Sequence, residues 1–263
     1  MSNILYSVID NYDNVLQSTR GDSWLFMSNP ISIFLILVGY LYFVLKLGPE
    51  LMEKRKPYNM KLLLITYNLY QVLFNLGLAS VPIRMGLMGN LFLSVCHRSI
   101  PKDGYFASEL SRGAWWYFIS KVVDLLDTVF FVLRKKQNQV TFLHVYHHTV
   151  TCLFSWGYLK YLPGEQGIFI GFLNSSVHVF MYAYYMIAAM GPKYVKYLWW
   201  KKYITWIQLV QFCIMLVYLS SLIVLDCQLP KALTFFFTVN VTIFLYLFIQ
   251  FYRKAYFKKS RDM

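Results

Sequence analysis

Three of the chain's five histidines, His144, His147 and His148, fall inside one apolar stretch running from Val140 to Val150. At roughly 100° per helical residue, His147 lies about 60° to one side of His144 and His148 about 40° to the other. The three imidazoles therefore share one helix face. Polar groups held in an apolar helix are costly and mark a functional site by default. A neutral imidazole is a nucleophile that needs no prior deprotonation. Its neighbours can serve as acid, base or hydrogen-bond donor near neutral pH.

Three further apolar stretches carry polar groups on one face. Lys121, Asp124, Asp127 and Thr128 occupy an arc of about 120°, and these two aspartates are the only acidic residues inside any apolar run. A lysine–aspartate pair that merely neutralises itself is the bland reading, but a second carboxylate and a threonine exceed what neutralisation needs. Asn174, His178, Met181, Tyr182 and Tyr185 lie on a second stretch, with Asn174 and His178 one turn apart. Thr205, Gln208 and Gln211 lie on a third. Singly these would be interhelical glue; together they suit one buried pocket. In it the carboxylates would fix ring tautomers, and Lys121 and Asn174 would stabilise an enolate or oxyanion.

These stretches belong to a chain that is 58% hydrophobic and only 14% charged, well below the roughly 25% charge of soluble domains. The expected fold class is therefore an all-α polytopic membrane protein. Seven spans are expected, at about 31–47, 61–83, 114–133, 139–160, 167–190, 203–225 and 232–252, each long enough to cross a bilayer. Pro82 is expected to kink or end the second. The whole of 1–263 reads as one integral membrane domain, with a polar stretch at 1–29 and a basic tail at 253–263. No removable signal peptide is expected at the start. Of 25 basic residues, Lys121 lies within a span, seventeen lie on one side of the spans and seven on the other. The basic side is cytosolic, which puts the C-terminus in the cytosol and the N-terminus in the lumen. Cys152 and Cys213 fall in spans and read as small apolar residues. Cys96 and Cys227 share the other compartment, where a disulfide between them is permitted. The sequons at Asn174 and Asn240 fall in spans and carry no weight. A basic cytosolic face favours polyanionic substrates and an apolar bundle can house an acyl tail, a pairing that suits a lipid acyl-CoA.

The motifs together resemble the very-long-chain fatty acid elongase (ELO) family of the endoplasmic reticulum, the 3-ketoacyl-CoA synthases. His144-Val145-Tyr146-His147-His148 matches its HxxHH box, and Lys121 to Thr128 matches KxxExxDT, with Asp124 where Glu is usual. Asn174 to Tyr185 fits NxxxHxxMYxYY, and Thr205, Gln208, Gln211 and Phe212 fit TxxQxxQF. Leu47-Gly48-Pro49, Met52 and Arg55-Lys56-Pro57 resemble the segment after the family's first span. The resemblance implies that the last six of seven helices enclose an acyl tunnel. It implies condensation of a long-chain acyl-CoA with malonyl-CoA to 3-ketoacyl-CoA, with an acyl group carried on His147 and with no metal or other cofactor. His144, His148, Asn174 and His178 would position and polarise the reactants, supported by Lys121, Asp124, Asp127, Tyr182, Tyr185, Gln208 and Gln211. Implied partners are membrane lipid, other enzymes of the elongation cycle and a second copy of the chain, with no nucleic acid. Lys258-Lys259 suggests retrieval to the endoplasmic reticulum.

Two other readings compete. HxxHH also occurs in metal-dependent membrane desaturases and hydroxylases, but those carry several histidine boxes and this chain has one, with His97 in a loop. A seven-span receptor or transporter fits the span count and orientation, yet gives no reason to concentrate His, Asp and Lys on adjoining helices.

Overall fold

The computed structural model describes residues 24–87, 105–161, 166–225, 227 and 231–257. Among these residues there is no strand. The polar stretch up to residue 23, Cys96, His97 and the Lys258-Lys259 pair lie outside them. Seven long helices are described: α1 (Pro30–Met52), α2 (Lys61–Arg84), α3 (Tyr105–Leu133), α4 (Phe142–Tyr161), α5 (Gln166–Met190), α6 (Lys201–Val224) and α7 (Lys231–Tyr252). By length and composition five can cross a membrane, namely α1, α2, α5, α6 and α7, so the chain is an all-α multi-pass membrane protein. The two that fall short of the expected seven are α3 and α4, the helices that hold the Lys/Asp set and the histidines. The same polar groups that suggest chemistry lower their apolarity.

Local chemistry explains the ends. Pro30 opens α1 at a position whose N–H would be unpaired anyway, and Asn29 Oδ1 accepts from Ile31 N at 2.9 Å. Expected to stop near residue 47, α1 runs through Pro49 instead. A π-helical turn at Phe43–Leu47, closed by Gly48 N to Phe43 O, absorbs the proline that would disrupt regular α-helix. Pro82 lies near the end of α2, which closes in a Schellman turn: Gly86 has φ +67°, Gly86 N donates to Ile83 O and Leu87 N to Pro82 O. The start of α3 lies nine residues before the expected 114, because its first turns are polar and invisible to hydropathy. A Glu109–Arg112 pair at 3.1 Å supports them.

The described chain divides into two compact units. Unit 1 holds α1, α3 and α4. Buried Ile33, Leu37, Tyr40 and Val44 of α1 meet Phe118, Leu125 and Val132 of α3 and Val145, Cys152 and Leu159 of α4. The sevenfold spacing on α3 and α4 is that of helices packed side by side at a shallow angle. Outward residues of α1 such as Leu35 and Val38 are equally apolar and exposed, as a lipid-facing surface requires. Gly48 marks close contact, since a Cβ there would lie 2.7 Å from both Phe43 O and Val132 Cγ1.

Two ties in this unit come from outside the expected helices. Lys135, at φ +55°, closes α3, and its Nζ donates to Glu53 O at 2.9 Å beside the end of α1. At the other end, Met27 is buried in the core. Trp115 Nε1, Trp156 Nε1 and Lys160 Nζ donate to the carbonyls of Leu25, Phe26 and Met27 at 3.3, 2.9 and 3.0 Å. Thus the end of the expected polar lumenal stretch is part of the packed unit.

Unit 2 holds α2, α6, α7 and α5 from Ile168 on. Its contacts are aromatic: Phe212 of α6 packs on Phe244 and Phe248 of α7, Phe169 of α5 on Tyr218 of α6, and Tyr67 of α2 on Tyr182 of α5.

Candidate active site

In unit 1 the polar face of α3 is sealed from solvent. Lys121 Nζ and Asp124 Oδ2 lie 2.9 Å apart with side chains 3% and 2% exposed, and Lys121 Nζ also stands 4.9 Å from the centre of the Tyr117 ring. Such a pair is costly to desolvate, and each charge answers the other. Asp127 and Thr128 are also buried. Thr128 Oγ1 shares a 2.8 Å hydrogen bond with Tyr40 OH of α1. Tyr40 was not singled out from the sequence; its one signal is spacing, since it continues the inward stripe of Ile33 and Leu37.

The histidines occupy the first two turns of α4. Thr141 caps that helix, its Oγ1 accepting from His144 N at 3.3 Å. As the wheel requires, the rings cluster: the His144 and His148 centroids are 4.3 Å apart, and His147 stands edge-on to His148 at 5.5 Å. Phe131 of α3 packs on His144 at 5.2 Å. His148 is buried while His144 and His147 are half-buried. His147 lies within electrostatic reach of Lys121, Asp124 and His144, and the α3 pair presents it with two opposite charges.

Unit 2 holds the remaining candidates. Asn174, His178 and Tyr182 are buried on one face of α5. Tyr182 stands edge-on to His178 at 5.6 Å and to Tyr185 at 6.1 Å, with Tyr185 itself exposed. On α6, Gln208 Nε2 reaches Met181 Sδ and Gln211 Nε2 reaches Met215 Sδ, each at 3.8 Å. Thr205 and Gln211 are buried. The sequence reading missed the buried amides of α2, Asn68, Gln71 and Asn75. Their spacing of three and seven residues in an apolar helix was the available signal.

Among the described residues no three His, Cys, Asp or Glu side chains are grouped to hold a metal ion. Cys227 is disulfide-bonded, Cys152 and Cys213 are free, and Cys96 is outside the described residues.

A family model described as "ELO: GNS1/SUR4 family" matches residues 25–263. Over 238 residues the chain is 42% identical to very long chain fatty acid elongase 7 of Drosophila melanogaster, covering 89% of this chain and 71% of that protein. The elongase 7 of Rattus norvegicus is 41% identical over 254 residues, 95% of this chain and 90% of its own length. With elongase 4 of Homo sapiens the identity is 40% over 237 residues, 90% and 75% of the two chains.

Proposed function

Because the chain belongs to the ELO (GNS1/SUR4) family and so serves fatty acid elongation, we propose that it is the condensing enzyme of that process, a 3-oxoacyl-CoA synthase. Its substrates in this reading are a long-chain acyl-CoA and malonyl-CoA. A ring nitrogen of His147 attacks the acyl thioester carbonyl; the C–N bond forms, the C–S bond breaks, and CoA leaves as the thiol with the imidazole's proton. Malonyl-CoA then loses CO₂. The electron pair left on its α-carbon attacks the acyl carbon, the C–N bond breaks, the departing imidazole nitrogen takes up one proton from solvent water, and 3-ketoacyl-CoA leaves with neutral His147 restored.

The observation that carries this assignment is the packing of His144 and His147 against His148 in a unit that also buries the Lys121–Asp124 pair. His144 and His148 are proposed to orient that ring and pass protons. Lys121, Asp127, Asn174 and His178 are proposed to polarise the reactants, with Tyr182, Tyr185, Gln208 and Gln211 in support. Asp124, shorter than the family's usual Glu by a methylene, still closes on Lys121 within the same helix. The chemistry needs no metal and no other cofactor.

Charge supports the placement. Basic residues concentrate in the segment after α1, between α3 and α4, after α5 and beyond α7, so the C-terminus is proposed to be cytosolic and the N-terminus lumenal in the endoplasmic reticulum. Polyanionic CoA substrates would gather at that basic face.

The test is purified protein in detergent, given a panel of long-chain acyl-CoAs and malonyl-CoA, with 3-ketoacyl-CoA and CO₂ as readouts. With acyl-CoA alone, the intact mass should rise by one acyl group, and His147→Ala should lose both the adduct and the condensation while staying folded in membranes. Near-normal condensation by that variant would overturn the role of His147. A wild-type protein that forms no 3-ketoacyl-CoA from any acyl-CoA of the panel would overturn the function.

A further inference from the structure

The α2 helix carries a polar stripe that the mechanism above does not use. Tyr67, Gln71 and Asn75 recur every four residues and are 9%, 0% and 0% exposed. Carboxamides inside an apolar helix must be repaid by hydrogen bonds. Here they are spent along the stripe: Gln71 Nε2 donates to Tyr67 OH at 3.1 Å, and Asn75 Nδ2 donates to Gln71 O at 2.9 Å. The stripe then crosses to α5. Tyr67 stands edge-on to Tyr182 at 6.1 Å, and Tyr182 stands edge-on to His178 at 5.6 Å. A line of buried contacts therefore runs from Gln71 through Tyr67 and Tyr182 to His178.

The Tyr67–Tyr182 contact also fixes a register. The helices run in opposite directions if each crosses the membrane once, and a step of four residues advances about 6 Å along either one. Four residues on from Tyr67 is Gln71, and four back from Tyr182 is His178. One further step pairs Asn75 with Asn174. Each pair repeats the depth relationship of the tyrosines, and both partners sit on the stripes that the tyrosines define. At the last step there is an unused group, since Asn75 Oδ1 is buried and accepts no hydrogen bond among the described residues. Glue between two helices would have spent that acceptor.

We infer that Tyr67, Gln71 and Asn75 are positioning residues for His178 and Asn174 of α5. Gln71 holds the Tyr67 ring, which braces Tyr182 against His178. Asn75 Oδ1 is the acceptor for the amide N–H of Asn174 when substrate is bound, fixing which end of that carboxamide faces the reactants. The inference rests on the condensing activity proposed above.

Three variants of the full-length enzyme test it in the same condensation assay. Tyr67→Phe keeps the ring and removes the hydroxyl that receives Gln71; Gln71→Met and Asn75→Leu keep bulk and remove the amides. Each should lower kcat, on the order of tenfold for the amide variants. KM for the acyl-CoA should change little; in the two amide variants the thermal midpoint should hold or rise because a buried amide is gone, whereas in Tyr67→Phe it should fall because Gln71 Nε2 loses that acceptor. A falling midpoint with wild-type kcat per folded molecule would show that the stripe is only glue, and would overturn the inference. Wild-type kcat in all three with no change in midpoint would overturn it equally. A wild-type enzyme that does not condense would instead remove the function on which the inference stands.

Discussion

Tyr40 and Thr128, 88 residues apart, share a buried 2.8 Å hydrogen bond that fastens α1 to the polar face of α3. The first helix is thereby joined to the helix that carries Lys121 and Asp124. Tyr40→Phe removes one hydroxyl and leaves Thr128 Oγ1 buried without that partner. The expected loss is about 1–3 kcal/mol of stability. Adding Thr128→Val, which removes the stranded oxygen, should recover most of it. Thermal unfolding of the detergent-solubilised single and double variants, compared with wild type, measures both effects.

Gly48 sits where α1 touches α3, and the two nearest obstacles to a side chain are 2.7 Å away. One of them, Val132 Cγ1, can be removed; the other, Phe43 O, is backbone of the π-turn and cannot. Gly48→Ala should therefore destabilise by about 1–3 kcal/mol. Combining it with Val132→Ala should not restore the wild-type midpoint. Full restoration would mean that the valine alone makes Gly48 necessary.

How much of this was legible in the sequence depended on range. The His144, His147 and His148 face followed from the helical period alone, because the period is local. So did the Lys121–Asp124 spacing, which the structure closes to 2.9 Å. The Tyr40–Thr128 bond was not legible, since nothing near either residue points to the other. Hydropathy hid the polar first turns of α3, and it treated Trp24–Met27 as part of a polar tail. The donors that fasten that segment, Trp115, Trp156 and Lys160, bond to its main chain, and carbonyls leave no mark on a sequence. Gln71 and Asn75 share a helical period with Tyr67, but no histidine or carboxylate on that helix marks them out.

A nucleophile that is an uncharged imidazole requires no Lewis acid. Condensation should therefore survive prolonged chelation without loss, and elemental analysis of active protein should find no stoichiometric iron or zinc. Activity that falls on chelation and returns with one added metal would move the chain toward the chemistry of the histidine-box oxygenases.

The Lys121–Asp124 pair separates stability from chemistry. Both side chains are nearly out of contact with solvent, so removing either takes from a buried charge its partner at 2.9 Å. Lys121→Met and Asp124→Leu alone should each cost about 3–5 kcal/mol. The double variant removes both charges of the pair together and should regain much of that loss, since a well-packed apolar pair can replace a buried ion pair at little cost. Its activity should not return with its stability, because the proposed site has lost the Lys121 charge that polarises the reactants. Melting curves and condensation rates on the same four preparations decide the matter. A stable double variant that condenses at the wild-type rate would show that the pair only neutralises itself.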